Sequence, residues 1–437
     1  MYQFFRSDEF LNFELVRILG TAPYGGCEVA EFLEAASSIK RNDADSWHNA
    51  WQHQAELAEQ RALFAAANGQ RVAARDAFLR AANYFRASQY MMFDSAQSAD
   101  SRVRPILERS IANFERAIDL FDTPVERVKI PYNGGFLPGY LYLPPADRNV
   151  SSAPPSPPLP NKVPIVVNCV GADSTQEELY HLLPFSGPGL GYAVLTFEGP
   201  GQGIVLRRDK THQRPDWEEV VSPVLDFVET FAKENPSLLL DVDRIAIAGA
   251  SMGAYYALRG ASDPRIKACV AIDPFYDLWD LVVSRSPQTM LNLWLRGWIP
   301  DSVIDTLTML QARVSFQSRY DYLSSAWIFG VHNPSMLLRR TRDFTFRLPD
   351  GGEFLDRVQC AVLISGATHS LYFPPELASL RVWDRLKHID ESKKELWLPK
   401  EPGDGSLQAK VGAFGLLQQR TFAFLDKQFG IKRDSLA

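Results

Sequence analysis

The sequence predicts an α/β chain: a mostly parallel sheet flanked by helices, preceded by a helical segment and interrupted by a helical insertion. Three observations predict it. Six short apolar runs alternate with helical stretches after residue 162. A tight glycine–serine turn joins one of these runs to a helix. The first 122 residues carry helical spacing with no strand pattern.

Residues 1–122 form the helical N-terminal segment. Asp45 or Ser46 can cap a helix carrying Trp47, Trp51, Leu57 and Leu63. A second helix follows Gly69, with Ala74, Phe78, Ala81, Ala82 and Phe85 on one face. Val125–Ile130 and Leu137–Leu143 then read as a hairpin turned at Gly134-Gly135. Residues 144–162 are rich in Pro and Ser and read as an exposed loop.

The buried strands follow: Ile165–Cys169, Tyr192–Phe197, Arg244–Ala248, Ala268–Ile272, Ala361–Ser365 and Glu395–Leu398. Helices are expected over 216–233, 252–262, 375–387 and 409–428. This core takes 123–277 and 351–437. Between its halves, 278–350 is helical and rich in aromatic residues, including Trp279, Trp294, Trp298, Phe316, Tyr320, Tyr322, Trp327 and Phe329. An insertion there, above the carboxyl edge of the sheet, is expected to act as a lid.

Composition narrows the partners. The chain has 437 residues and a net charge of -6, with no long basic run, which argues against nucleic acid or an anionic membrane. The N-terminus lacks a basic region ahead of an apolar core, so no secretory signal is expected and a cytoplasmic location is. No apolar stretch approaches the ~18 residues of a membrane span. Cys27, Cys169, Cys269 and Cys360 read as free thiols, mostly in apolar runs. No Cys/His spacing suggests a metal, and no cofactor is expected.

Gly249-Ala250-Ser251-Met252-Gly253 follows a strand directly and opens a helix. That is the setting of a nucleophile elbow, in which a sharp turn pushes the Ser251 hydroxyl into the open at the positive end of a helix. An oxyanion hole needs two backbone N–H groups. Met252 is expected to supply one, and Gly171 or Ala172, after the first buried strand, the other. Phe197-Glu198-Gly199-Pro200-Gly201-Gln202-Gly203 closes the second strand; its glycines read as structural, with Glu198 as an alternative pocket residue.

This run, together with Asp216-Trp217-Glu218, Pro223–Phe227 and Arg75–Arg86, resembles the FrsA-like members of the α/β-hydrolase fold. That family includes 2,6-dihydroxypseudooxynicotine hydrolase and a polyketide-shortening pigment hydrolase. The likeness extends to hydrolases of fungal fusarin and cytochalasan clusters, which act beside a polyketide synthase–peptide synthetase hybrid. The resemblance covers nearly the whole chain. It implies N-terminal helices and a lid that cover the active site, a small polyketide-type substrate and a homodimer.

A hydrolytic triad needs a base for the serine and an acid to orient that base. The resemblance implies an acid where this chain has His369, and a histidine after the last strand, where 401–410 has none. Three arrangements stay open. The roles are exchanged, with His369 as base and Asp404 as its orienter. Or His332 or His181 reaches in, with Asp273 as the acid. Or there is no histidine base, and oxyanion stabilisation with enclosure serves aldol-type or cyclisation chemistry.

The expected function is accordingly a serine-nucleophile enzyme of fungal secondary metabolism, acting at a carbonyl of a polyketide or polyketide–amino-acid intermediate. A non-covalent cyclase or intermediate-holding protein, and a plain carboxylesterase, are the alternatives.

Overall fold

The computed structural model describes residues 3–95, 98–99, 101–145 and 162–433. Residues 146–161, most of the Pro/Ser-rich loop, lie outside them.

The N-terminal segment folds as α1 (Glu9–Leu19), α2 (Val29–Ser38), α3 (Ala44–Ala67), α4 (Arg71–Gln89) and α5 (Val103–Ile118). The cap of α3 is Asp43, two or three residues before the expected position. Its carboxylate accepts the Ser46 N–H at 2.9 Å, which places Ser46 in the first turn. Trp47 and Trp51 are buried as expected, but Leu63 is exposed, and the buried seam of α3 continues through Ala55, Ala58, Ala62 and Ala65. These small side chains let α3 lie close against Ala74, Ala77 and Ala81 of α4. A short antiparallel ribbon, β1 (Phe93–Ser95) and β2 (Ser98–Ala99), interrupts the helices where no strand was expected. Its support is tertiary: the Phe93 ring packs on Tyr320 and Trp327, more than 200 residues later in the chain.

The core sheet has eight strands: β3 (Val125–Tyr132), β4 (Gly135–Tyr142), β5 (Val163–Cys169), β6 (Ala193–Phe197), β7 (Leu240–Ala250), β8 (Ile266–Ile272), β9 (Ala361–Ser365) and β10 (Lys394–Trp397). Their order is β10-β9-β8-β7-β5-β6-β4-β3. Pairs from β6 through β10 are parallel, and β3 and β4 are antiparallel at one edge. The parallel strands are buried on both faces, as continuous apolar runs require. On one face, Ile165, Val167 and Ile247 pack with α8 (Glu218–Glu234) and α9 (Met252–Gly260). On the other, Val166, Val194 and Val270 pack with α16 (Phe414–Phe429). Alternate residues along each strand face opposite sides, so one strand feeds both cores.

Between β8 and β9 lie α10 (Trp279–Arg285), α11 (Gln288–Leu295), α12 (Asp301–Val314), α13 (Phe316–Phe329) and α14 (Pro334–Arg340). The aromatics of this insertion divide. Trp294 is buried in its own small core with Val282, Leu291 and Ile304. Phe316 and Tyr320 join the N-terminal helices, and Trp298 is 78% exposed. The expected C-terminal helix starts at Phe414 and not near 409, because Ala409 and Lys410 take positive φ values of 55° and 59°. All four cysteines are free. Among the described residues no helix is long and apolar enough to cross a membrane.

Candidate active site

Strand β7 delivers the chain into a sharp turn at Ser251, whose φ is 55° and ψ -119°. This is a strained conformation for a residue with a side chain. The Ser251 N–H is bound to the Ile272 carbonyl at 2.8 Å, which fixes the turn to the end of β8. A Cβ on Gly249 would sit 2.1 Å from the Gly253 carbonyl oxygen, and one on Gly253 2.8 Å from that of Cys169. The G-x-S-x-G spacing is thus a steric requirement of this turn. Met252 begins α9, so its N–H has no partner within the helix and is free to meet an anion.

Ser251 lines a cavity of about 220 Å³ with Met252, Gly171 and Ala172. The four residues expected to form the nucleophile and oxyanion site are therefore brought together. The Gln202 side chain pins the loop after β5, its Nε2 donating to Val170 O (2.7 Å) and Gly171 O (3.0 Å). Helix α1 contributes Phe13, Glu14 and Arg17 to the wall, and the insertion contributes Tyr320, Asp321 and Phe329. Glu198 is buried but does not line this cavity. Its carboxylate accepts the N–H groups of Gln176 (3.1 Å) and Ile204 (2.6 Å) and ties the loops together.

The structure does not bring the proposed bases to Ser251. His369 is exposed, with Nδ1 2.9 Å from Ser406 Oγ, and Asp404 is exposed in a separate turn at Pro402–Asp404. No hydrogen bond joins His369 to Asp404 among the described residues, and neither lines the cavity. The reason is backbone pairing: the His369 N–H donates to Ser406 O, which turns the imidazole along the surface beside that strand end. His332 is exposed. His181 is buried 3.3 Å from Tyr24 O and borders a separate small void with Asn83 and Glu177; burial lowers its pKa to about 4. Among the described residues no imidazole lines the Ser251 cavity.

The slot after β8 holds a different pair. Asp273, at φ 53°, accepts Lys410 Nζ at 2.7 Å and Ser365 Oγ at 2.7 Å on one oxygen. Its other oxygen accepts the Ala409 N–H at 2.8 Å. Lys410 Nζ also reaches Gly366 O at 3.1 Å. An ammonium thus occupies the place beside Asp273 where an imidazole was one of the expectations. Burial lowers the lysine pKa, against the opposing pull of Asp273.

Comparison with known proteins identifies the family. The alpha/beta hydrolase family profile matches residues 165–395. Hydrolyase poxO of Penicillium oxalicum is 48% identical over 99% of this chain and 100% of its own length. The chain belongs to the alpha/beta hydrolase family. The hydrolase is also 48% identical to alpha/beta hydrolase gkaG of Penicillium citrinum, over 97% of each chain. It is 47% identical to hydrolyase ccsE of Aspergillus clavatus over the full length of both. It shares its fold with 2,6-dihydroxy-pseudo-oxynicotine hydrolase, at a TM-score of 0.65 and 20% identity over 96% of this chain and 98% of that one. The family resemblance seen in the sequence is therefore shown.

Part of the hydrolase's cavity wall carried no signal in the sequence. Arg17 of α1 grips Glu178 of α6 (Gln176–Leu179) through two bonds of 2.6 and 2.7 Å, docking the N-terminal segment on the core. Burial alone would raise the Glu178 pKa, but Arg17 and Arg86 outweigh it and hold the group at about 2. Beside it, the hydroxyls of Tyr90 and Tyr320 both donate to Asp173 Oδ2, the latter at 3.0 Å. Burial pushes Glu14 up to about 7 and Asp321 up to about 6. These residues come from four distant stretches of chain, so no local spacing announces them.

Proposed function

We propose that the hydrolase acts at a carbonyl of a polyketide or polyketide–amino-acid intermediate of fungal secondary metabolism, and that it closes a ring by aldol-type chemistry. One observation carries this reading: the cavity that holds Ser251 has no imidazole in its wall. Acyl transfer through serine needs a base to take the hydroxyl proton. Carbonyl activation leaves the serine proton in place. The amides of Met252 and Gly171 or Ala172, with the Ser251 hydroxyl as a further donor, stabilise a developing oxyanion or enolate. Walls such as Phe13, Ile328 and Phe329 receive an apolar chain and exclude water.

A second reading is favoured by the strained φ of Ser251, which costs about 1–3 kcal/mol and is the posture of a nucleophile. In that reading Ser251 forms an acyl intermediate and water releases an acid. Product mass separates the two. A linear β-ketoamide bearing a second carbonyl is incubated with the hydrolase and followed by mass spectrometry. The ring-closure reading expects a cyclic product, separated from the substrate by chromatography, of unchanged mass, or of one water less once the aldol hydroxyl is eliminated; a product that has gained one water, formed faster than in buffer, contradicts it.

A further inference from the structure

Ring closure through an enolate needs a group that takes a proton from carbon and returns one to oxygen. Among the described residues no imidazole lines the cavity, and Lys410 beside it is held by Asp273. Five carboxylates line the wall: Glu14, Asp173, Glu178, Asp273 and Asp321. Glu178 is gripped by Arg17 and Asp273 by Lys410, Asp321 lies 3.6 Å from Arg285, and Arg17 also lies 3.4 Å from Glu14 and 3.6 Å from Asp173.

Asp173 differs. Its Oδ2 takes both phenol hydroxyls, while its Oδ1 accepts no hydrogen bond among the described residues and lies 3.6 Å from an Arg17 nitrogen. The side chain keeps 31% exposure, although Tyr90 and Tyr320 beside it are buried. It also sits two residues after Gly171, so the two Cα atoms are no more than about 7.6 Å apart. A group at Asp173 therefore stands beside the expected oxyanion amides. The Tyr90 hydroxyl touches Asp173 and is 3.2 Å from Glu14 Oε1, so one phenol bridges two carboxylates.

We infer that Asp173 is the proton-transfer residue of this cavity, with Tyr90 linking it to Glu14, a role that rests on the carbonyl-activation reading. Asp173 Oδ1 takes a proton from the carbon between two carbonyls. That C–H bond breaks, an O–H bond forms, and the electron pair passes into an enolate whose oxygen faces the Met252 and Gly171 amides. The enolate carbon then bonds to the carbon of a further carbonyl along the chain, whose π pair moves onto its oxygen, and Asp173 returns its proton to the resulting alkoxide. Glu14, at about 7, exchanges a proton near neutrality and so can hold or release one through the phenol.

The test uses an N-(β-ketoacyl)phenylalaninamide in D2O, with exchange at the carbon between its carbonyls followed by NMR. The full-length hydrolase is expected to accelerate exchange over buffer. Asp173→Asn should lower that acceleration by about 10²-fold with the probe's Kd, measured by calorimetry, unchanged. Glu14→Gln, which leaves Asp173 in place, should also slow it, and provides a second test if Asp173→Asn does not fold. Exchange at the wild-type rate in folded Asp173→Asn, or in Glu14→Gln if the first does not fold, overturns the assignment. So does a wild-type rate no faster than buffer. Exchange lost in Ser251→Ala but kept in Asp173→Asn overturns Asp173 alone and leaves carbonyl activation standing. A hydrolysed product with Asp173-dependent exchange overturns ring closure and keeps Asp173.

Discussion

Lys410→Met is expected to destabilise the fold by about 3–5 kcal/mol, the usual cost of stranding one charge of a buried pair. The lysine side chain is fully buried and that of Asp273 is 2% exposed. Methionine matches the length of the stem but not the ammonium. Asp273 would keep the Ser365 hydroxyl and the Ala409 amide, yet its charge would have no counterion in a low-dielectric site. Asp273→Asn combined with Lys410→Met should recover much of the loss, because an uncharged amide is far cheaper to bury. Urea unfolding of the three variants measures both effects. A single Lys410→Met variant within about 1 kcal/mol of wild type would show that the pair contributes little to the fold.

The second large effect is catalytic. Ser251→Ala is expected to lower kcat for the β-ketoamide by about 10²–10³-fold, the typical consequence of removing one donor to an oxyanion. It should not abolish turnover, because the amides of Met252 and the Gly171 loop remain. A nucleophilic serine gives a different result: its removal leaves only the background from binding and oxyanion stabilisation. The comparison is made on the ring-closed product, with folding checked by thermal unfolding. Turnover lost entirely in a folded Ser251→Ala variant favours the acyl-enzyme reading.

Much of this molecule was legible in its sequence because the signals are local. Each parallel strand is an unbroken apolar run such as Ile165–Cys169, and the elbow declares itself by glycines whose Cβ atoms would collide with backbone. The oxyanion residues follow from chain position after a strand. The base was not legible in the same way. His369 occupies a promising slot in the sequence, but the pairing of its backbone with Ser406 decides where the imidazole goes. Nothing near Lys410 says that two consecutive residues at positive φ will turn it inward to Asp273. Asp173 follows the expected oxyanion residues Gly171 and Ala172 directly, yet no local pattern singles it out. Its partners Tyr90, Tyr320 and Glu14 lie 83, 147 and 159 positions away along the chain, so only the tertiary structure could assemble them.

The claim on which the rest stands is that Ser251 works without an imidazole to take its proton. Reaction with a serine-directed fluorophosphonate, read by intact-protein mass spectrometry, tests it most directly, since that reagent modifies a serine only when a base makes it nucleophilic. Ser251 is expected to stay unlabelled over the time in which a serine esterase control is fully modified. Rapid stoichiometric labelling of Ser251, lost when His369 is replaced by alanine, would contradict it.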